Sequence, residues 1–358
     1  MTPRERIFAA LSGEATDFVP LTCYASLLPD CELSRSLQAE GLGVVSSRCP
    51  ARAETPNVQH DSQQWQQDGR AWTRQVIRTP VGEVEQVARQ EAGYGSFWVS
   101  EHYVKSPDDY RVLEFMVRDT RWLPDHEAWR QADDDMGDAG VVMAAGQRTP
   151  MQRIIIEFAG IERFSVDLAD ECEALFSLHD ALVENQRRLW EVIAESPATL
   201  CWVPDNITAT VIGLPRFERF CVPRYREYAD LLAGLRPAKG FGPQARTGKR
   251  LVVHMDGALR ALAGGVAECA VDVVEAFTPP PDGDFSVAEA RAAWPGKALW
   301  LNFTSSMHLA NAERIAEHTR ELVRQGAGSG FAVGITENVP DPAWRVSFPT
   351  ILRTLREP

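Results

Sequence analysis

No Cys-x-x-Cys pair occurs in this chain of 358 residues, and its seven cysteines (Cys23, Cys31, Cys49, Cys172, Cys201, Cys221, Cys269) are odd in number and widely scattered. That spacing argues against a zinc knuckle or a disulfide framework, and the expected home is a reducing cytoplasm. Positive charge is also short: 37 Lys and Arg face 50 Asp and Glu, a net charge of −13. Non-specific nucleic-acid binding needs clustered cations to displace counterions, so that class is excluded. No apolar run approaches the roughly 20 residues of a membrane span. The opening "MTPRERIFAALSGEATDFVP" is too charged for a secretory signal. No G-x-G-x-x-G turn follows any candidate strand, which weakens a dinucleotide-binding reading.

What is present is a globular composition. Hydrophobic residues make up 44% and charged residues 24%, enough for a large core. The length allows two domains or one large α/β barrel with additions. Pro3 to Ser12 reads as an amphipathic helix with Ile7, Phe8 and Leu11 on one face, followed by a buried strand over Phe18 to Tyr24. From Leu27 to about Gln64 no periodicity is sustained. "AWTRQVIRTPVGEVEQVARQ" reads as a β-hairpin turning at Thr79-Pro80-Val81-Gly82.

After the polar "DDDMGD" the pattern becomes regular. An apolar run "AGVVMAAG" precedes a long helix ending near Glu195, with a break expected near Ser177. Strands follow at "ATLCWVPDNIT", Arg250–His254, Val271–Phe277, Ala298–Phe303 and Gly330–Thr336. Helices alternate with them at Ala258–Cys269, Ser286–Trp294, Ala310–Gln325 and Asp341–Arg356. Continuous apolar strands alternating with amphipathic helices predict a parallel sheet covered on both faces. Five such units and two earlier strands favour closure: a (β/α)8 TIM barrel spanning 1–358 as one domain. N-terminal helical and β-hairpin additions fall within 27–135, the hairpin at about 70–90.

In such barrels the active site collects at the C-terminal ends of the strands. The polar residues that close strands here are Tyr24, Asp205 with Asn206, His254 with Asp256, Glu275, Asn302, and Glu337 with Asn338; His308 follows in a loop. His254 and Asp256 are two apart and can converge on one face if the strand continues. With Glu337 they would make a His/Asp/Glu metal set suited to zinc, iron or manganese. Two alternatives stay open: His254 as a hydrogen-bonded core or substrate-binding residue, and Asp256 as a helix cap. Glu275, after a run of apolar residues, reads as a general acid or base, with Arg260 as its structural rival partner. Cys201 and Cys269 read as core residues. Tyr94, Phe97 and Trp98 are candidates for an aromatic lid.

The opening "RERIFAALSGEATDFVP", the block "FERFCVPRYREYADLL…GKRLVVHMDGALRALAGGVAECAVDVVEAF" and the late "GFAVGITENVP" resemble the uroporphyrinogen decarboxylase superfamily. The resemblance runs from residue 4 to 340 and implies the barrel. It also implies either a decarboxylase or a cobalamin-linked methyltransferase. The decarboxylase branch has an Arg-Gln-Ala-Gly-Arg motif after the first strand; here "LTCYASLLPDCELSRS" carries only Arg35. The methyltransferase branch binds zinc through His-x-Cys and a late cysteine; here Asp256 replaces the first thiolate, and Thr336 or Glu337 stands at the second position. The expected function is therefore a methyltransferase or demethylase of a small methylated substrate. It would work with a corrinoid carried by a partner protein, since no Asp-x-His-x-x-Gly carrier motif is present. Zinc or another divalent metal would sit on His254, Asp256 and Glu337. Catalysis would fall to His254, Asp256 and Glu275, with Tyr24, Asp205, Asn206, Asn302 and Asn338 holding substrate. The rivals are a carboxy-lyase using His254 and Glu275 for proton transfer, and a non-catalytic barrel that only binds.

Overall fold

The computed structural model describes residues 1–90, 97–234, 248–326 and 330–357. They form two compact units: Met1–Pro50 with His126–Gly146 and Ile193–Pro358, and Ala51–Asp125 with Gln147–Val192.

The first unit holds a closed barrel of eight parallel strands. In chain order they are β1 (Leu21–Tyr24), β2 (Gly43–Arg48), β3 (Gly140–Ala145), β4 (Leu200–Val203), β5 (Arg250–His254), β6 (Val273–Phe277), β7 (Ala298–Asn302) and β8 (Phe331–Ile335). Each pairs with its sequence neighbour, and β1 pairs with β8 to close the ring. This is the (β/α)8 architecture that the alternating pattern predicted. β2 was hidden in the stretch without periodicity. Only three of its six residues are buried, so it lacks the nearly continuous burial of β5 to β8.

Alternate residues of each strand point into the barrel. Val45, Val141, Met143, Leu200, Val252, Val273, Ala298, Trp300 and Ala332 form one buried cluster. Two residues further along β4, β5 and β6 stand Trp202, His254 and Glu275, so the same periodicity turns these inward above the apolar layer. Gly140 marks a close approach: a Cβ there would lie 1.7 Å from the Val44 carbonyl oxygen, so only glycine lets β3 pair with β2.

The N-terminal helix Pro3–Ser12 starts on Thr2, whose hydroxyl caps the Glu5 amide while Glu5 returns a bond to Thr2, and it stops at Gly13 with φ 79°. Its Ile7 and Leu11 join the barrel's apolar cluster. Arg6, 3% exposed, grips Asp17 with Nε and Nη2 at 2.6 and 2.8 Å and stacks on Phe18 at 3.8 Å. This contact gives a physical basis to the "RERIF…TDFVP" pattern: a buried guanidinium needs a carboxylate to answer it. Asp17→Ala is expected to lower stability by about 2 kcal/mol, the scale of a lost charged hydrogen-bond pair. Chemical denaturation would measure this, and an unchanged midpoint would show that Arg6 is satisfied by the Met1 and Gly41 carbonyls alone.

In the second unit, Arg70–Thr79 and Gly82–Gln90 pair antiparallel within a sheet of four strands, with Gln59–Gln67 and Phe97–Glu101 at its edges. Gln59–Gln67 is exposed at every residue, which is why no hydrophobic pattern announced it. Phe97 and Trp98 are exposed on this sheet, and Tyr94 lies outside the described residues. The break in the long helix comes before Glu173, between Gly160–Ala169 and Glu173–Glu195, rather than at Ser177.

Candidate active site

At the C-terminal mouth of the barrel, four strands bring one cluster together. His254 Nδ1 lies 2.8 Å from Glu275 Oε2 across the β5–β6 register pair. Tyr24, closing β1, donates from Oη to Glu275 Oε1 at 2.6 Å and stands 3.3 Å from His254 Nδ1. Trp202 on β4 donates from Nε1 to Glu275 Oε2 at 3.1 Å and meets the imidazole edge-on at 6.0 Å. Asp256 Oδ2 faces the other imidazole nitrogen, Nε2, at 3.5 Å and accepts from Asn206 Nδ2 at 2.9 Å.

The backbone is shaped to make this possible. Between Glu275 and Phe277 the register with β7 shifts, and the intervening Ala276 has φ 56°. A left-handed alanine inside a strand is strained, and such bulges re-aim side chains. Asn206 is also left-handed, φ 54°, a conformation its side chain tolerates better than most. Gly257 must be glycine, since a Cβ there would lie 2.1 Å from Thr208 Cβ.

Electrostatics follow from the geometry. Burial opposes a charge on His254, but Glu275 and Asp256 outweigh it and push its pKa up to about 10. The ring is thus an imidazolium at neutral pH, donating to Glu275 from Nδ1 and turned toward Asp256 with Nε2. Burial likewise works against the Asp256 charge, yet the His254 hydrogen bond and charge hold its carboxyl below the ordinary range. The Tyr24 phenol is pushed well above its usual value by burial and by Glu275. Glu275 is fully buried, and His254 keeps 8% exposure. Glu275 therefore orients and charges the histidine through Nδ1, and the other ring nitrogen, Nε2, faces Asp256.

Beside the cluster lies a pocket of about 330 Å³ lined by Tyr24, Ala25, Ser26, Val45, Ser46, Ser47, Met143 and Trp202. None of these is Lys, Arg or His. Trp202 was not singled out in the sequence, although its place two residues beyond inward-facing Leu200 marked it by period-2 spacing. The serines of β2 carried no such marker.

Other expected residues land elsewhere. Asp205 is fully buried and accepts from Tyr225 Oη at 2.5 Å, so it braces the helix Val222–Gly234. Asn302, 1% exposed, contacts Thr278 and accepts from the Thr336 amide, tying neighbouring strand ends. Asn338 is exposed in the loop after β8. His308 is buried against Ser347 at 2.9 Å, and burial lowers its pKa to about 4. Arg260 pairs with Glu289, not Glu275. Asp256 caps no helix: Asp284 accepts from the Leu259 and Arg260 amides instead, and the expected helix shortens to Ala263–Glu268. Cys201 and Cys269 are core thiols that burial pushes up to about 12.

The His254/Asp256/Glu337 metal set is not assembled. Glu337 is exposed and bonded to Ser305 on the loop after β7. Among the described residues no three His, Cys, Asp or Glu side chains form a group that could hold a metal ion. Glu275 cannot serve as the third ligand from its place, because it already receives Tyr24, Trp202 and His254 Nδ1. The donor set therefore does not fit a zinc ion held by three protein ligands.

Among solved structures, the chain is similar to a methyltransferase from Methanosarcina mazei at TM-score 0.58 and 12% identity, covering 99% of this chain and 98% of that one. A B12-independent methionine synthase from Shewanella sp. W3-18-1 in complex with selenomethionine matches at TM-score 0.40 and 9% identity, covering 76% and 70%. No curated protein sequence matches. Residues 142–340, which hold strands β4 to β8 and the whole His254–Asp256–Glu275 cluster, match the family model described as uroporphyrinogen decarboxylase (URO-D), and the chain belongs to that family.

Proposed function

We propose that this protein is a methyltransferase that takes a methyl group from a small methylated substrate and passes it to an acceptor on a second protein, a corrinoid carrier. The observation that carries this reading is a histidine-centred acid cluster against a small pocket with no basic lining residue. A substrate bearing several carboxylates would meet no Lys or Arg among the lining residues of this pocket, and the neighbouring His254 already faces two carboxylates. That argues against a lyase of acidic substrates, although an imidazolium could serve one as a proton donor.

In this reading the substrate lies against Tyr24, Met143 and Trp202. The acceptor's nucleophile supplies the electron pair of the new bond to the methyl carbon. His254 presents its Nε2 proton to the heteroatom left behind, and Asp256 holds that edge of the ring in place. No step runs through a zinc ion.

Purified protein mixed with methylated compounds is expected to turn over only when a corrinoid protein or another methyl acceptor is added. Demethylated product should then appear in step with methylated acceptor. Release of CO2 from a carboxylate substrate by the protein alone would establish the lyase instead.

A further inference from the structure

Tyr24 and Trp202 form a corner of the pocket, with ring planes 73° apart and centroids 6.4 Å from each other. The polar edges of both rings end on one buried carboxylate: Tyr24 Oη on Glu275 Oε1 and Trp202 Nε1 on Oε2. A ring whose O–H or N–H donates to an anion gains electron density on its face, which deepens the negative quadrupole presented to the cavity. The same wall carries the polarizable sulfur of Met143. Around the corner one cation, His254, stands against two anions, Glu275 and Asp256, so the local field favours positive charge and repels carboxylates.

From this geometry we infer that the methyl donor is a small onium cation, a methylated ammonium or sulfonium, seated on the Tyr24–Trp202 corner. The inference rests on the methyl-transfer reading and deepens it. The pocket, about 330 Å³, is at the small end of ligand sites. The chemistry agrees with the donor set. When a methyl group leaves a positive nitrogen or sulfur, the C–N or C–S bond breaks, its electron pair stays on the heteroatom, and that atom departs neutral. The electron pair of the new bond comes from the acceptor's nucleophile, named above. An amine so released takes its proton from His254 Nε2, which is refilled from solvent. A neutral leaving group needs neither a Lewis acid nor a proton in order to depart, whereas the oxygen of a methyl ether must be activated by one or the other. A cluster that does not assemble three metal ligands suits the first, which asks less of the site.

The test is a calorimetric titration of the wild-type protein with choline, with its uncharged isostere 3,3-dimethylbutan-1-ol, and with methoxyacetate. Choline is expected to bind at least about tenfold more tightly than the isostere, the scale of a desolvated cation–π contact, and methoxyacetate not to bind. Trp202→Leu and Tyr24→Leu should each weaken choline by about fivefold or more, leaving the isostere nearly unchanged. Thermal melting shows whether each variant is folded; if one is not, the wild-type ratio alone decides. Tetramethylammonium and trimethylsulfonium then tell the two onium types apart. Equal binding of choline and the isostere, preferred binding of methoxyacetate, or no binding of any cation overturns the inference. These outcomes separate the two readings. Cation binding without methyl transfer to any acceptor would keep the ligand class and sink the function. Methyl transfer from an ether with no cation binding would do the reverse.

Discussion

His254→Ala is expected to cut turnover by about 100- to 10 000-fold, the range over which a positioned proton donor contributes. The substitution removes the side chain that faces both carboxylates, Glu275 from Nδ1 and Asp256 from Nε2. Asp256→Asn should lower turnover less, because it leaves the imidazolium and its Glu275 partner in place. Metal analysis run beside the kinetics gives a second readout. The protein is expected to carry less than one equivalent of metal before and after substitution, since Glu337 lies with Ser305 rather than with His254. Stoichiometric zinc that disappears in His254→Ala would restore a metal-centred reading. Full activity in both variants would move the chemistry out of this cluster altogether.

Glu275→Ala is expected to be the most destabilising single change at the site, by about 3–5 kcal/mol, because it strips the partner from a buried cation. It also leaves the donors of Tyr24 and Trp202 without their acceptor. Glu275→Gln keeps an oxygen for those donors while removing the charge that sustains the imidazolium, so its deficit should be smaller and pH-dependent. The sign follows from His254, whose pKa in the folded protein is about 10 against 6.5 for the free side chain. The folded state holds the proton more tightly, so the stabilisation is complete below about pH 6.5 and is lost as pH rises through about 10. The gap in melting temperature between wild type and Glu275→Gln should therefore narrow from pH 7 to pH 10. A gap that stays constant over that range would mean that His254 is neutral in the folded protein.

How far the sequence carries can be seen residue by residue. The strands β5 to β8 were legible because both faces are buried and their residues are mostly apolar, only Glu275 breaking the run inside β6, and they end within two residues of where the hydrophobic pattern ends. β2 and the edge strand Gln59–Gln67 were not, because a strand with an exposed face or ends leaves little apolar signal. His254, Asp256, Glu275 and Tyr24 were legible as polar residues closing buried strands, a pattern that costs too much free energy without a partner or a task. Asp205 and Asn302 carry the same mark and have structural partners instead, Tyr225 for one and Thr278 with the Thr336 amide for the other. Sequence position cannot tell these two fates apart.

By itself, then, the chain's alternation of apolar strands and amphipathic helices determined the barrel, and period-2 spacing determined which side chains face into it. Only the tertiary structure decided which strand ends meet. The closure of β1 against β8 and the bulge at Ala276 bring Tyr24 and Glu275 within 2.6 Å, although they are 251 positions apart. Glu337, equally well placed by sequence, is carried off by its loop to Ser305. The physical reason is range. Hydrophobic periodicity is a local property that each segment carries alone, whereas a hydrogen-bonded cluster depends on register, curvature and loop path, which are fixed only when all eight strands close.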